Sequence, residues 1–334
     1  ANADAAQDMD RLSVAQDGKS VASRLRFDLD LPSASEDDTP LGQGILLPEW
    51  HYKKQILQPE HCRLQPMIAR EAPPCALPQH LAANARRIRS QFEALTPARV
   101  WINGQFDGTE PDLNACVQFA ADRLSGHAAE RGLYRAHHYR DRDLACLTLA
   151  DLSLSTDAWV SDSARVIDVI RDSLYLFAEA LSATGDRFSL YGFSSLRRDN
   201  VRFHVLKEFG EKYNAGIRGR IQAIKPGYYT RMGAAIRHAS QLLSKQQATQ
   251  RLLLILTDGK PNDLDQYEGR YGIEDTRVAL VEARQMGLRP FCVTIDEKAN
   301  SYLPHLFGIG GYVVIRKPSE LPKQLPLLYA QLTR

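Results

Sequence analysis

Long apolar runs, clustered cysteines and a strong charge of either sign are all missing from this 334-residue chain. No stretch approaches the ~18 apolar residues of a membrane-spanning helix; even RLLLILTDGK breaks after about six, so no membrane insertion is expected. The five cysteines (Cys62, Cys75, Cys116, Cys146, Cys292) are an odd number, well dispersed and without a CxxC pair. That usage argues against a disulfide framework or a zinc ribbon and for a reducing, cytoplasmic compartment. With 42 Lys+Arg against 40 Asp+Glu the formal net charge is +2, which excludes a strongly basic nucleic-acid binder at whole-chain level. GxxxxGK[ST] is absent, so any ATP hydrolysis belongs to a partner, and GxSxG is absent, so no nucleophile elbow is offered. The start, ANADAAQDMD, is neither an initiator Met nor a signal peptide, and the natural protein is expected to be longer.

What is present divides into three regions. Residues 1–45 are acidic and poor in aromatics (DLDLPSASEDDTPLGQG), a composition that buries little apolar surface and reads as a disordered tether. Residues 46–142 read as an extension packed on the domain that follows. It opens with an extended segment, LPEWHYKKQILQPEHCRLQP, suited to docking as an edge strand. Helical spacing then covers 81–99, and a second helix is expected over about Pro111 to Gly126, with Pro and Asp placed for its N-terminus. Residues 143–334 alternate apolar runs of five to eight residues with longer amphipathic helices, the first spanning about Ala164–Thr184. This rhythm predicts an α/β fold: a doubly wound, mostly parallel sheet with helices on both faces.

In such sheets ligands bind beyond the carboxyl ends of the strands. The first central strand ends in Asp151-Leu152-Ser153-Leu154-Ser155, placing one acid and two hydroxyls at alternate positions on one side. A later strand ends LILTDG, with Thr257 and Asp258 at its carboxyl end. Between them Thr230, in KPGYYTRMGAAIRHA, sits just before a helix start. Carboxylates plus hydroxyls suit a hard cation such as Mg²⁺, with Mn²⁺ as the other natural choice. The same residues also admit a plainer reading, in which Asp151 and Asp258 cap loops and Thr230 N-caps its helix.

DxSxS, a later Thr and TDG, in that order, resemble the metal-ion-dependent adhesion site of von Willebrand factor A domains. That resemblance implies direct contact of Ser153, Ser155 and Thr230 with the metal, and contact of Asp151 and Asp258 mostly through water. Over residues 45–334 the chain is similar to the NorD/CbbO group of bacterial A-domain proteins. The similarity is carried by LADLSLSTDAW, GQFDGTEPDLNACV, KPGYYTRMGAAIRHA, TDGKPNDLDQYEGRYGIEDTR and FGIGGY. SLSTDAW and YEGRYGIEDTR stand closer to the NorD branch, the nitric oxide reductase activation proteins, than to the CbbO branch. The resemblance implies a non-catalytic adaptor that works with a hexameric MoxR-type AAA+ ATPase (NorQ- or CbbQ-like). Its target would be nitric oxide reductase or, in the CbbO alternative, Rubisco. It would act in the cytoplasm, peripheral to the inner membrane for a membrane-bound target.

Other polar and aromatic residues lie outside this set. Ser153 or Ser155 as a hydrolase nucleophile lacks a placed histidine; His238, in AAIRHAS, reads as a packed or helix-surface residue. His51, His61-Cys62 and Cys75 match no metal-ligand spacing and read as scattered structural residues. His137-His138 with Arg135, Arg140 and Arg142, and likewise Arg197-Arg198 and Arg218 with Arg220, read as solvated basic stretches, with docking to an acidic partner as the sharper alternative. Asp263 and Asp265 lie close enough to Asp258 in sequence to shape the site's rim. Trp159 is expected to pack beneath the metal loop as core, with a partner contact as the alternative.

Overall fold

The apolar runs of the sequence form the centre of a nine-stranded sheet. The computed structural model describes residues 38–94, 100–126, 130–138, 143–161, 164–296 and 299–333; the expected tether lies outside them up to residue 37. The N-terminal part contributes β1 (Asp38–Pro40), β2 (Ile45–His51), β3 (Ile56–Ala69) and helix α1 (Ala82–Glu93). Then come β4 (Val100–Gln105), β5 (Glu110–Pro111), α2 (Leu113–Leu124) and β6 (Tyr134–His138). The remainder is β7 (Leu144–Asp151), β8 (Trp159–Ser161), β9 (Ala164–Arg165), α3 (Val166–Thr184), β10 (Arg187–Ser195), β11 (Val201–Lys207), α4 (Ala215–Gln222) and α5 (Met232–Ser244). It closes with β12 (Gln250–Thr257), α6 (Arg270–Gln285), β13 (Arg289–Thr294), α7 (Leu303–Phe307), β14 (Tyr312–Val314) and α8 (Leu321–Leu332).

The strand order is β1-β3-β11-β10-β7-β12-β13-β14, with β2 also paired to β3. From β10 to β14 every pairing is parallel; β11 runs antiparallel to β10. This is the expected doubly wound, mostly parallel sheet. All eight residues of β7 are buried, because helices cover both of its faces. Successive side chains enter opposite cores: Leu144 and Cys146 join α1, α3 and α8 on one face, and Ala145, Leu147 and Leu149 join α5, α6 and α7 on the other. Helix α3 is buried nearly all round, and Gly185 ends it in the left-handed conformation (φ 72°) that glycine accepts without a Cβ clash.

Three parts differ from the sequence expectation. The extended segment over 47–66 is a hairpin: β2 lies at the sheet edge as expected, paired to β3, but β3 is an inner strand, with β11 on one side and β1 and β2 on the other. Its polar, proline-bearing sequence hid this, because the hairpin buries only some of its side chains, among them Leu47, Cys62, Leu64 and Met67. Strands β4, β5 and β6 form a separate three-stranded sheet that periodicity did not reveal. The expected helix over 81–99 ends at Glu93, and 95–99 lie outside the described residues. Helix α1 docks through Phe92, which stacks on Tyr329 of α8 at 6.4 Å, while the Tyr329 hydroxyl donates to Asp186 at 2.9 Å.

Candidate metal centre

Parallel strands β7 and β12 are neighbours in register, so the two sequence motifs at their carboxyl ends come together although 106 residues separate Asp151 from Thr257. Asp151 is fully buried, and its carboxylate accepts from Ser153 N–H (3.0 Å), from Thr257 Oγ1 (2.9 Å) and from Thr230 Oγ1 (3.4 Å). Ser153 Oγ and Ser155 Oγ lie 2.9 Å apart, and Ser155 Oγ donates to Asp258 Oδ1 at 2.8 Å. All five residues singled out in the sequence therefore form one connected cluster. Thr230 is not a helix cap: Arg231 occupies that position of α5, and Thr230 turns its hydroxyl toward Asp151.

The backbone fixes this arrangement. Leu152 N–H donates to Phe193 O (2.9 Å), Leu154 N–H to Tyr228 O (2.9 Å) and Gly227 N–H to Leu152 O (2.5 Å), which pins the DxSxS loop between β10 and the 227–230 turn. Thr230 and Asn262 exchange backbone hydrogen bonds of 2.7 and 3.0 Å, tying the threonine to the loop after TDG.

Two carboxylates share this cluster, and among the described residues no arginine or lysine forms an ion pair with either. Burial raises the Asp151 carboxyl above its ordinary value against the pull of its hydrogen bonds. Burial, with the Asp151 charge as the next cause, pushes Asp258 up to about 7. A site with two crowded acids, three hydroxyl oxygens and no cation of its own has the donor chemistry of a hard divalent ion, and the residues fit one. Histidine and cysteine do not enter it. Among the described residues no group of three or more His, Cys, Asp or Glu side chains gathers as a metal site, and this cluster, with two acids, relies on its hydroxyls for the remaining donors.

Sequence reading missed what holds the loops. Arg231, next to Thr230 and 1% exposed, donates to Asp263 (3.2 Å), to Glu49 of β2 and to Asp265. Glu49 also accepts from Cys62 Sγ at 2.8 Å. Asp263 and Asp265 thus bind Arg231 and the Arg197 and Arg198 amides (2.9 and 2.8 Å); they tie the loop down and do not line the metal donors. Beside them Arg237 pairs with Asp275 (2.8 Å), which accepts from the Trp50 amide (2.8 Å). No local pattern signals these pairs, since isolated charges read as surface until distant chain covers them.

The remaining candidate residues of the sequence occupy separate places. Trp159 is 64% exposed with Arg165 over its ring at 5.1 Å, which corrects the expectation that it packs beneath the loop: the short β8–β9 hairpin lifts it off the core. His238 packs edge-on against Phe203 at 4.8 Å, and burial pushes it down to about 4. His51 packs against Tyr271, whereas Cys75 lies 3.8 Å from the Tyr175 hydroxyl. Arg135 bonds Glu110 (3.1 Å), Arg218 bonds the Cys75 carbonyl (3.1 Å) and Arg220 bonds Glu211 (2.9 Å). Arg140, Arg142 and the side chains of His137 and His138 lie outside the described residues. Gly308–Gly311 follow α7 and lead into β14.

The family profile described as von Willebrand factor type A domain matches residues 157–321, so this part of the chain is a domain of that type. Several relatives carry the name Protein NorD. The chain is 55% identical to Protein NorD of Stutzerimonas stutzeri over 90% of its length, and 42% identical to Protein NorD of Brucella suis over 99%. It spans about half of each of these proteins, 50% and 52%. The likeness to the NorD branch therefore runs through nearly the whole chain. Among solved structures the vWF domain of the type V pili tip protein Mfa5 from Porphyromonas gingivalis is similar, with TM-score 0.46 and 10% identity over 57% of this chain and 96% of that one.

Proposed function

We propose that this chain is a non-catalytic, metal-dependent adaptor whose cation, Mg²⁺ or a related divalent ion such as Mn²⁺, is held by Asp151, Ser153, Ser155, Thr230 and Asp258. The observation that carries this reading is the grouping of a fully buried Asp151 and a half-buried Asp258 with three hydroxyls at the carboxyl ends of β7 and β12, with no Arg or Lys ion pair to either acid among the described residues. When bound, the cation supplies an open coordination position for a carboxylate oxygen of a partner. The chain's own residues then do three things. Asp151 and Asp258 furnish the negative charge, the hydroxyls furnish neutral oxygens that leave the ion electrophilic, and Arg231 holds the surrounding loops in place.

The partners follow from the family resemblance: a hexameric MoxR-type AAA+ ATPase supplies the work, and nitric oxide reductase is the target. Soluble, cytoplasmic action beside the inner membrane belongs to the same reading, and among the described residues no helix is long and apolar enough to cross a membrane. A hydrolase reading has less support. Ser155 Oγ is committed to Asp258, and among the described residues no histidine hydrogen-bonds Ser153 or Ser155.

Co-purification of the ATPase and reductase subunits with the full-length protein, in Mg²⁺ and in EDTA, tests the proposal. Asp151→Ala and Ser153→Ala should keep the native circular dichroism while recruitment and reductase activation are lost. Normal activation by both folded variants would sink the adhesion-site mechanism.

A further inference from the structure

The five donors differ in exposure, and that gradient fixes the side from which the metal centre is approached. Asp151, Ser153 and Thr230 are buried, whereas Ser155 is exposed and Asp258 half-buried. The mouth therefore lies at Ser155 and Asp258, and the side chains beside these two are the first that an arriving partner meets. On the Asp258 side stands exposed Lys260, its ammonium over the Tyr302 ring at 5.4 Å and, among the described residues, in no ion pair. On the Ser155 side stand two exposed apolar side chains, Leu154 and Trp159.

Trp159 is held in its place by the donor loop itself. Ala158 N–H donates to Ser155 O (3.1 Å) across the 3₁₀ turn Leu154–Asp157, and Val166 N–H donates to Ala158 O (2.9 Å). Trp159 pairs with Arg165 in the β8–β9 hairpin, and the Arg165 guanidinium lies over the indole at 5.1 Å, anchored by Asp157 at 2.7 Å. One face of the ring is thus roofed, while most of its surface meets water. An indole this exposed adds little to the stability of the fold. Ordered in advance beside an open ion, it has the properties of an interface anchor, because little side-chain freedom is left to lose on contact. Four positions separate it from Ser155. At ~2 Å per residue in a 3₁₀ turn and ~3.3 Å when extended, that is roughly 8–13 Å, which an extended partner chain covers in about two to four residues.

We propose that the metal centre reads an acidic–apolar segment of a partner protein. An Asp or Glu takes the open coordination position, and an apolar side chain about two to four residues away packs on the Trp159 ring. Lys260 favours further acids beside that carboxylate. The inference rests on the metal-centre reading given above and adds the partner's second determinant. A lone carboxylate is common on protein surfaces, so the apolar contact is what makes the recognition selective.

Panning of a random-peptide phage library on the full chain in Mg²⁺, with elution by EDTA, tests it beside isothermal titration with Mg²⁺. Eluted sequences should share an Asp or Glu with an apolar residue about two to four positions from it. A synthetic peptide of the most enriched sequence should bind in Mg²⁺ and not in EDTA, by fluorescence polarisation. Trp159→Ala should weaken that binding about tenfold or more while Mg²⁺ affinity stays that of the unaltered protein. Trp159→Phe should recover most of the loss, and Lys260→Gln should weaken binding several-fold at low salt only. Mg²⁺ binding without eluted peptides, an acid preference without an apolar one, or unchanged peptide affinity in folded Trp159→Ala overturns this inference and leaves the metal centre standing. No Mg²⁺ binding at all overturns the metal centre, and this inference with it. A Mg²⁺-dependent dimer in sedimentation that Trp159→Ala dissolves would assign the ring to a second copy of the chain and overturn the inference as well.

Discussion

Thr257 Oγ1 donates a 2.9 Å hydrogen bond to Asp151 Oδ2, joining the carboxyl ends of the two central strands. Thr257 is not among the residues expected to contact the metal, yet it orients one that is. Partners of this kind typically change metal affinity by about 10–100-fold when removed. Thr257→Val keeps the shape and deletes the donor, so Mg²⁺ affinity by titration should fall about tenfold with the fold intact. Thr257→Ser should restore most of it; an unchanged affinity in Thr257→Val would show that Asp151 needs no such support.

Binding of a cation should also register as stability. Asp151 and Asp258 repel one another in the metal-free protein, and a ligand at a hundredfold its Kd stabilises by about 2.7 kcal/mol. Mg²⁺ should therefore raise the melting temperature and EDTA should reverse the rise. Asp258→Asn removes the repulsion, so it should stabilise the metal-free protein and abolish the response to Mg²⁺. A response that survives in Asp258→Asn would place the ion elsewhere.

Glu49 lies on β2, yet its carboxylate is bound by Arg231, 182 residues later. Removing Glu49 leaves Arg231 with Asp263 and Asp265, so what is lost is one charge-assisted hydrogen bond inside a buried cluster, roughly 1.5–3 kcal/mol. Glu49→Ala should lower the stability measured by urea unfolding by about that amount, and Glu49→Gln by less because the amide oxygen still accepts. Loss of Mg²⁺ binding in folded Glu49→Ala would show that the hairpin also positions Thr230.

Glycine to alanine near a helix start is ordinarily mild or favourable, by about 0.5–1 kcal/mol. At Gly233 the sign should reverse. A Cβ there would lie 1.9 Å from Asp275 Oδ2, whose partners Arg237 and Tyr267 hold it in place at 2.8 and 2.6 Å. Gly233→Ala should destabilise by about 1–3 kcal/mol, readable as a lower urea midpoint.

His238 gives the fold an acid sensitivity. Its folded value, about 4, lies below the ordinary 6.5 because burial disfavours the charged ring. Between those values the unfolded chain takes up the proton first, so this contribution to stability is complete above about 6.5 and is lost as pH falls toward 4. Urea midpoints at pH 7.0, 5.5 and 4.5 should fall in that order, at values set by about those two limits, and His238→Gln should flatten the decline.

Most of the architecture was legible because a strand covered on both faces must be apolar throughout: LACLTLAD and RLLLILT announce β7 and β12 directly. The candidate site was legible for a related reason. Its donors follow those runs immediately, so finding the strands finds the ends where Asp151 and Asp258 sit. The hairpin β2–β3 was harder, since its outer positions stay polar and Pro48, Pro59 and Pro66 interrupt any alternation. Strands β4 to β6 were missed because Glu110–Pro111 is a two-residue strand with no periodicity to detect.

By itself the sequence determined which segments cross the core, at which strand ends oxygen donors collect, and which family the motifs resemble. Those properties are local, written in runs of a few residues. Tertiary structure alone decided that Asp151 is fully buried beside an unneutralised Asp258, that Arg231 reaches back to Glu49, and that Trp159 faces solvent. Each depends on which distant chain excludes water from a given charge or ring. That is settled only when the sheet closes and its loops pack together.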